Sequence, residues 1–184
     1  SSVGAFREYQ MKEAWTWELQ ALTRARFIAG SRSVAGHFER IRQEVLCRPR
    51  DAGALAAELL EMRHRMSREH DAGAHADAAA PKHRPGGLVD IEFVAQLGVL
   101  SSAQRYPRVI QATGTLDQLR ELEAIGWLDA AESAVLAETL YRLRCARMLQ
   151  VLLPGVAEPP HDTAAAAEIV AARLAAGSDK AAAE

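Results

Sequence analysis

The apolar side chains of this chain recur at one spacing over much of its length. Between residues 33 and 47, and again between residues 51 and 70, they fall at i, i+4, i+7 and i+11. This spacing places them on one face of an α-helix, whose period is about 3.6 residues. β-branched residues never alternate with polar ones over more than a few positions, as a half-buried strand requires. The sequence therefore predicts an all-α protein.

Glycine, proline and capping residues divide this pattern into a helical bundle of six to seven helices. The helix from Leu88 to Tyr106 is apolar on nearly all sides, so we expect it at the centre. The stretch from Asp71 to Gly87 collects alanine, proline and glycine, which predicts a loop. We expect the bundle to occupy residues 1–176 and residues 177–184 to form a disordered tail. The predicted helices span residues 5–29, 33–47, 51–70, 88–106, 115–125, 129–153 and 163–175, with Asp51 and Asp129 as caps.

The charge balance argues against some classes of partner. Lysine and arginine number 22 against 24 aspartates and glutamates, which gives a formal net charge of -2. This balance provides no attraction for polyanions, so we expect neither nucleic acid nor a membrane as a partner. The first residues lack the charged and apolar regions of a secretory signal. We therefore expect a cytoplasmic location, in which Cys47 and Cys145 are free thiols.

Two stretches are too specific for a generic helical bundle. The first, Glu13–Arg26, crowds two tryptophans and two arginines onto one helix in a chain that is only 5% aromatic. The second, Lys82–Gln96, is a basic loop with two glycines that leads into an apolar helix opening with Asp90 and Glu92. Residues two apart on a helix point about 200° from each other, so these two carboxylates cannot chelate one ion together.

Together the two stretches resemble the glutamine synthetase adenylyltransferase family, also named glutamate-ammonia-ligase adenylyltransferase. The family pattern Trp-x-Trp-Glu-x-Gln-Ala-Leu-x-Arg-Ala-Arg matches Trp15–Arg26, and Lys-x-x-x-Gly-Gly-x-x-Asp-Ile-Glu-Phe-x-x-Gln matches Lys82–Gln96, in the same order. The resemblance covers Phe6–Leu153. It departs at Ala78–Pro81, where the family has an aromatic and acidic lead-in, and at Ser31, where the family has an acidic residue. It implies the helical C-terminal region of such an enzyme, following a nucleotidyltransferase domain that this chain lacks.

The resemblance also implies an activity and partners for the parent enzyme. That enzyme uses ATP and Mg²⁺ to attach AMP to a tyrosine of glutamine synthetase, and its other half removes the AMP, which controls nitrogen assimilation. The implied partners are glutamine synthetase, a PII-type signal protein and the nucleotidyltransferase domain of the same chain. The metal-holding carboxylates of the family lie in a Gly-Ser-x-x-Asp-x-Asp element, and no Asp-x-Asp occurs in these 184 residues. We therefore expect no catalytic residue, metal site or cofactor in this chain, and no activity by itself.

Nine residues are site candidates by resemblance. The cations and the approachable backbone N–H groups at the start of the helix suit the binding of a phosphate. A structural explanation stays open, in which the loop is an ordinary solvated loop and Asp90 is a first-turn carboxylate that the helix dipole favours. Those expected to face the nucleotide or the substrate protein are Lys82, Gly86, Gly87, Asp90 and Glu92. Those expected on an interdomain surface are Trp17, Glu18, Arg24 and Arg26.

Ordinary helix packing supplies further expectations for the first stretch. We expect Trp15 in the core. We expect Arg24 and Arg26 to pair with Glu18 or Glu13 across helical turns, unless they line the interdomain surface.

Structural interpretations of some residues stay open beside the functional ones. The run Met62–Arg68 is typical of a solvated basic face around buried methionines. For the whole chain, two alternative functions stay open. One is a free-standing helical interaction domain, supported by the absence of a catalytic set. The other is the equivalent module of the AMP-removing half of the same family.

Overall fold

The computed structural model describes residues 2–72, 84–153 and 162–181. Within these ranges the protein forms eight α-helices, one short 3-10 helix and no strand, which confirms the predicted all-α class. The helices are α1 Val3–Lys12, α2 Thr16–Arg24, α3 Arg32–Leu46, α4 Ala52–Ala72, α5 Leu88–Ser102, α6 Thr115–Ala124, α7 Ala130–Leu152 and α8 Ala164–Ala181, with the 3-10 helix at Pro107–Gln111 before α6.

The first predicted helix, over residues 5–29, is two helices in the structure. Trp15 has extended backbone angles, with φ -76° and ψ 159°. Its backbone N–H donates a 2.9 Å hydrogen bond to the Glu18 carboxylate. A side chain that satisfies this N–H starts a new helix at Thr16. This break raises the number of α-helices in the described residues to eight, above the six to seven predicted.

The predicted caps of α4 and α7 are confirmed. Asp51 Oδ1 accepts a 2.6 Å hydrogen bond from the Ala54 backbone N–H. Asp129 Oδ1 accepts from the Glu132 N–H at 2.8 Å, and Glu132 Oε2 accepts from the Asp129 N–H at 2.9 Å. These bonds satisfy helix-start donors that have no partner within the helix.

Helix α5 is the centre of the bundle, as predicted. It packs against α2, α4, α6, α7 and α8, and the side chains of Ile91, Val94 and Val99 are fully buried. Gly98 allows the closest approach: a Cβ there would lie 2.5 Å from Leu122 on α6. An apolar helix without a polar face is stable only when it is surrounded on all sides.

The alanine-rich helix α8 lies along α4 and completes the core. Ala166, Val170 and Leu174 are buried there, and Arg173 Nε donates a 3.0 Å hydrogen bond to Glu132 on α7. Helix α8 continues to Ala181, past the predicted boundary at residue 176, and residues 182–184 lie outside the described residues.

Candidate functional site

The two specific stretches of the sequence meet in the structure. Helix α2, from the first stretch, packs against α5, from the second. Gln20 Nε2 donates a 2.8 Å hydrogen bond to Gln96 Oε1, and both side chains are buried. Stretches that are far apart along the chain therefore form one interface.

A charged cluster lies at the open edge of this interface. Arg24 Nη1 is 3.1 Å from Glu92 Oε1, and Arg144 Nη2, on α7, is 3.6 Å from the same oxygen. Arg144 also lies 3.3 Å from Thr115 Oγ1. The side chains of Arg24, Glu92 and Arg144 are 39%, 27% and 41% exposed. Two guanidinium groups share one carboxylate, so the cluster has an excess positive charge that faces solvent.

This cluster overturns the pairing predicted for Arg24. Arg24 pairs with Glu92 rather than with Glu18 or Glu13. Glu18 is instead engaged locally, because it accepts from the Tyr9 hydroxyl at 2.8 Å and from the Trp15 N–H. The break before α2 turns Glu18 back toward the preceding residues.

Asp90 serves a different side of α5. Its carboxylate forms a buried ion pair with Arg63 on α4 and accepts a 2.8 Å hydrogen bond from the Gly86 N–H. Glu92 faces α2 and α7. The two carboxylates point apart, as helix geometry requires, and each faces an arginine. Arg63 is buried, so the interpretation of its surroundings as a solvated basic face is wrong at this residue.

Gly86, which precedes α5, is packed against the start of α8. Gly86 has φ +69°, and a Cβ there would lie 2.4 Å from the Thr163 carbonyl oxygen and 2.6 Å from the Ala167 nitrogen. The Gly87 N–H donates a 2.9 Å hydrogen bond to the Arg84 carbonyl. Both glycines are buried. Their predicted contact with a nucleotide stays a prediction, and Lys82 lies outside the described residues.

Both tryptophans of the first stretch face solvent. Trp15 is 71% exposed and Trp17 is 54% exposed. The predicted core position of Trp15 is wrong, because the residue precedes α2 instead of lying within a continuous helix. Arg26, after the end of α2, is exposed as well. Exposure of Trp17 and Arg26 is compatible with the predicted interdomain surface, which stays a prediction.

Sequence reasoning missed Arg42, which holds the end of α2. Arg42 is 2% exposed and donates to the carbonyls of Leu22, Thr23 and Ile110 at 3.0, 2.8 and 2.6 Å. Burial lowers the pKa of this guanidinium, although nearby Glu39 acts in the opposite direction. The sequence feature that could have indicated its burial is its position next to Ile41, on the apolar face of α3. Arg42 positions the last turn of α2, and with it Arg24.

The described residues contain neither a cluster of metal ligands nor a helix that could span a membrane. In residues 2–72, 84–153 and 162–181, no group of three or more histidine, cysteine, aspartate or glutamate side chains is placed to hold a metal ion. Over the same part of the chain, every helix is too short or too polar to cross a membrane.

Two family models match the chain, and each contains one of the two specific stretches. The model described as glutamate-ammonia ligase adenylyltransferase matches residues 1–41. The model described as GlnD PII-uridylyltransferase matches residues 53–153. The two stretches that meet through Gln20 and Gln96 thus come from two adjoining matched regions.

Three similar proteins share the name bifunctional glutamine synthetase adenylyltransferase/adenylyl-removing enzyme. The relative from Aromatoleum aromaticum is 43% identical, over 94% of this chain and 18% of its own length. The Pseudomonas aeruginosa relative is 40% identical, over 88% of this chain and 18% of its own. The Nitrosomonas europaea relative is 40% identical, over 86% and 17%. The chain therefore spans less than a fifth of the length of these relatives.

The all-helical fold and the joined stretches, together with these matches, define a helical region of the class of proteins that the two family models describe. The chain belongs to the glutamine synthetase adenylyltransferase family.

Proposed function

We propose that this chain is the helical module of a longer cytoplasmic enzyme that attaches AMP to glutamine synthetase and removes it, and that the module serves the attaching half. The observation that carries the proposal is the junction of α2 and α5. Gln20 and Gln96 join the two stretches in the interior, and Arg24 and Glu92 join them at the surface. A junction of both family-specific stretches at one partly exposed edge suits a contact with another domain.

Within this proposal the module positions partners and leaves the chemistry to the nucleotidyltransferase domain of the longer polypeptide. Mg²⁺ and ATP are assigned to that domain. Asp90 and Glu92 do not fit a metal ion, because they point apart and each faces an arginine. The module by itself is therefore inactive.

The candidate residues divide into two roles under the proposal. Glu92 and Arg24, with Trp17 and Arg26, contribute to the surface that meets the nucleotidyltransferase domain or glutamine synthetase. Asp90, Gly86 and Gly87 hold the start of α5, and Glu18 sets the start of α2. Lys82, which lies outside the described residues, stays assigned to the nucleotide or the substrate protein. A PII-type signal protein, named in the description of the second matching model, is proposed as the regulator that acts through this module in controlling nitrogen assimilation.

The test uses a chimera in which this chain replaces the matching segment of the Aromatoleum aromaticum relative. AMP transfer to glutamine synthetase is measured with ATP and Mg²⁺. Under the proposal the chimera transfers AMP, and Lys82→Ala and Glu92→Gln each lower the rate. The control is Glu61→Gln, at an exposed position of α4. Unchanged rates in both site variants would falsify their assignment.

The AMP-removing half is the second candidate, because the name of the relatives includes that activity. The same chimera separates the two: measuring release of AMP from modified glutamine synthetase shows which direction Glu92→Gln impairs. A free-standing interaction domain is the remaining alternative. This alternative predicts a start codon directly before the codon of Ser1 in the native gene. Sequencing the reading frame upstream of Ser1 tests it.

A further inference from the structure

The last turns of α7 leave the bundle. Leu143 and Ala146 are buried, whereas every residue from 147 to 153 is exposed. Residues 147–153 are called the α7 end here. Its apolar side chains are Met148, Leu149, Val151, Leu152 and Leu153, which are 52–73% exposed.

The composition of the α7 end does not suit contact with water. Successive helical residues are about 100° apart, so Met148, Leu149, Val151 and Leu152 fall within an arc of roughly 160° and form one apolar face, with Arg147 and Gln150 outside it. A contiguous exposed apolar surface marks an interaction site. The apolar face of the α7 end therefore suits a partner that covers it.

Positive charge lies at and just before the start of the α7 end. Arg144 and Arg147 are three residues apart and lie on the same side of α7. Within the described part of the chain, Arg147 has no ion-pair partner. Arg24 joins this side through Glu92. Three arginines against one carboxylate favour a partner with acidic side chains.

We propose that the α7 end inserts into an apolar surface on another segment of the same longer polypeptide, with acidic side chains of that segment facing Arg144 and Arg147. The inference rests on the proposed function. The relatives contain enough further polypeptide to provide this partner, because the matched region is only 18% of the Aromatoleum aromaticum protein. A segment of the same polypeptide can cover the α7 end without a second protein, since the tether holds it at a high effective concentration.

The test measures how fast N-ethylmaleimide labels Met148→Cys, with peptide mass spectrometry used to follow that site alone. The rate is compared between this chain by itself and the full-length chimera. Because docked residues react only while the contact is open, we expect labelling about tenfold or more slower in the chimera. Glu61→Cys on the polar surface of α4 is the control, since Glu61 is exposed like Met148. Its rate should be equal in both proteins.

A charge reversal tests the acidic partner. Adding Arg147→Glu to the Met148→Cys chimera should raise the labelling rate toward that of the isolated chain, whereas adding Arg65→Glu on α4 should not. No effect of Arg147→Glu would reject the acidic surface.

The remaining outcomes separate this inference from the proposed function. Equal Met148→Cys rates in a chimera that transfers AMP would overturn the docking of the α7 end and leave the proposed function standing. Slow labelling in a chimera that neither transfers nor removes AMP would support the docking of the α7 end and overturn the proposed function. Slow labelling of the isolated chain that accelerates on dilution would identify a second copy as the occupant and overturn the proposal.

Discussion

Gln20 Nε2 donates a 2.8 Å hydrogen bond to Gln96 Oε1 and thereby joins α2 to the central helix α5. Both side chains are buried, with 4% and 7% of their surfaces exposed. In such surroundings a polar group without a partner is costly, so each amide depends on the other. The pair fixes how the two family-specific stretches face each other.

Breaking this pair on one side should destabilise the protein. Gln96→Leu leaves the Gln20 amide without its acceptor, and we expect a loss of about 1–3 kcal/mol in the free energy of unfolding. Adding Gln20→Leu should recover part of that loss, because both unsatisfied groups are then gone. Urea unfolding of the two single variants and the double variant measures the coupling. Gln43→Leu, at an exposed position of α3, is the control. Strictly additive losses would contradict a direct interaction.

Arg42 should be the most costly arginine of α3 to replace. Arg42→Met removes the donor to the Leu22, Thr23 and Ile110 carbonyls, and we expect a loss on the order of 3 kcal/mol in the free energy of unfolding. Arg40→Met, at an exposed position of the same helix, should change it by less than about 0.5 kcal/mol. Urea unfolding followed by circular dichroism compares them. Equal effects of the two substitutions would argue against Arg42 as the cap of α2.

Gly86 and Gly126 form a matched test of close packing. Both have positive φ, +69° and +75°, but a Cβ on Gly126 would meet no atom within 4 Å, whereas one on Gly86 would meet the α8 backbone. Gly126→Ala should cost about 1 kcal/mol in the free energy of unfolding for backbone strain alone. Gly86→Ala should cost at least about 1–3 kcal/mol more, because α8 must shift. Urea midpoints of the two variants provide the comparison, and equal losses would show that α8 does not approach Gly86 closely.

The Tyr9–Glu18 bond predicts a pH dependence at high pH. The hydrogen bond from the phenol to the Glu18 carboxylate raises the pKa of Tyr9 above its usual 10.0, with burial adding to the shift. A pKa raised in the folded state means that the bond's contribution is fully present below the tyrosine's ordinary pKa and is lost as pH rises through the folded value.

The measurement is the difference in Tm between the unmodified chain and Tyr9→Phe as a function of pH. We expect a constant difference up to about pH 9 that shrinks above about pH 10. In a Glu18→Gln background the same comparison should lose this dependence. A difference that persists unchanged to pH 11 would refute the bond in solution.

Much of the fold was predictable because it depends on local chemistry. The apolar spacing in α3 and α4 specifies their buried faces, and Asp51 and Asp129 carry the side-chain oxygens that start α4 and α7. The break before α2 was not predicted. It depends on whether Glu18 bonds to the Trp15 N–H or stays on a continuous helix, and helix propensity does not distinguish these states.

The candidate site was predicted as residues but not as contacts. The family resemblance singled out Arg24, Asp90 and Glu92, and helix geometry showed that the two carboxylates must point apart. Their partners Arg63 and Arg144 lie on other helices and carry no motif. The partner of an arginine is chosen among all carboxylates within reach, so periodicity along one helix predicts the face of a residue and not its contact.

The sequence by itself determined the all-α class, most helix boundaries, the central position of α5 and the family, because these depend on spacing and motif within short segments. Only the tertiary structure decided that Gln20 meets Gln96, that Arg42 holds α2, that α8 requires glycine at position 86 and that the α7 end projects from the bundle. The physical reason is that these features depend on the relative placement of helices distant in sequence. That placement is set by the packing of the whole core.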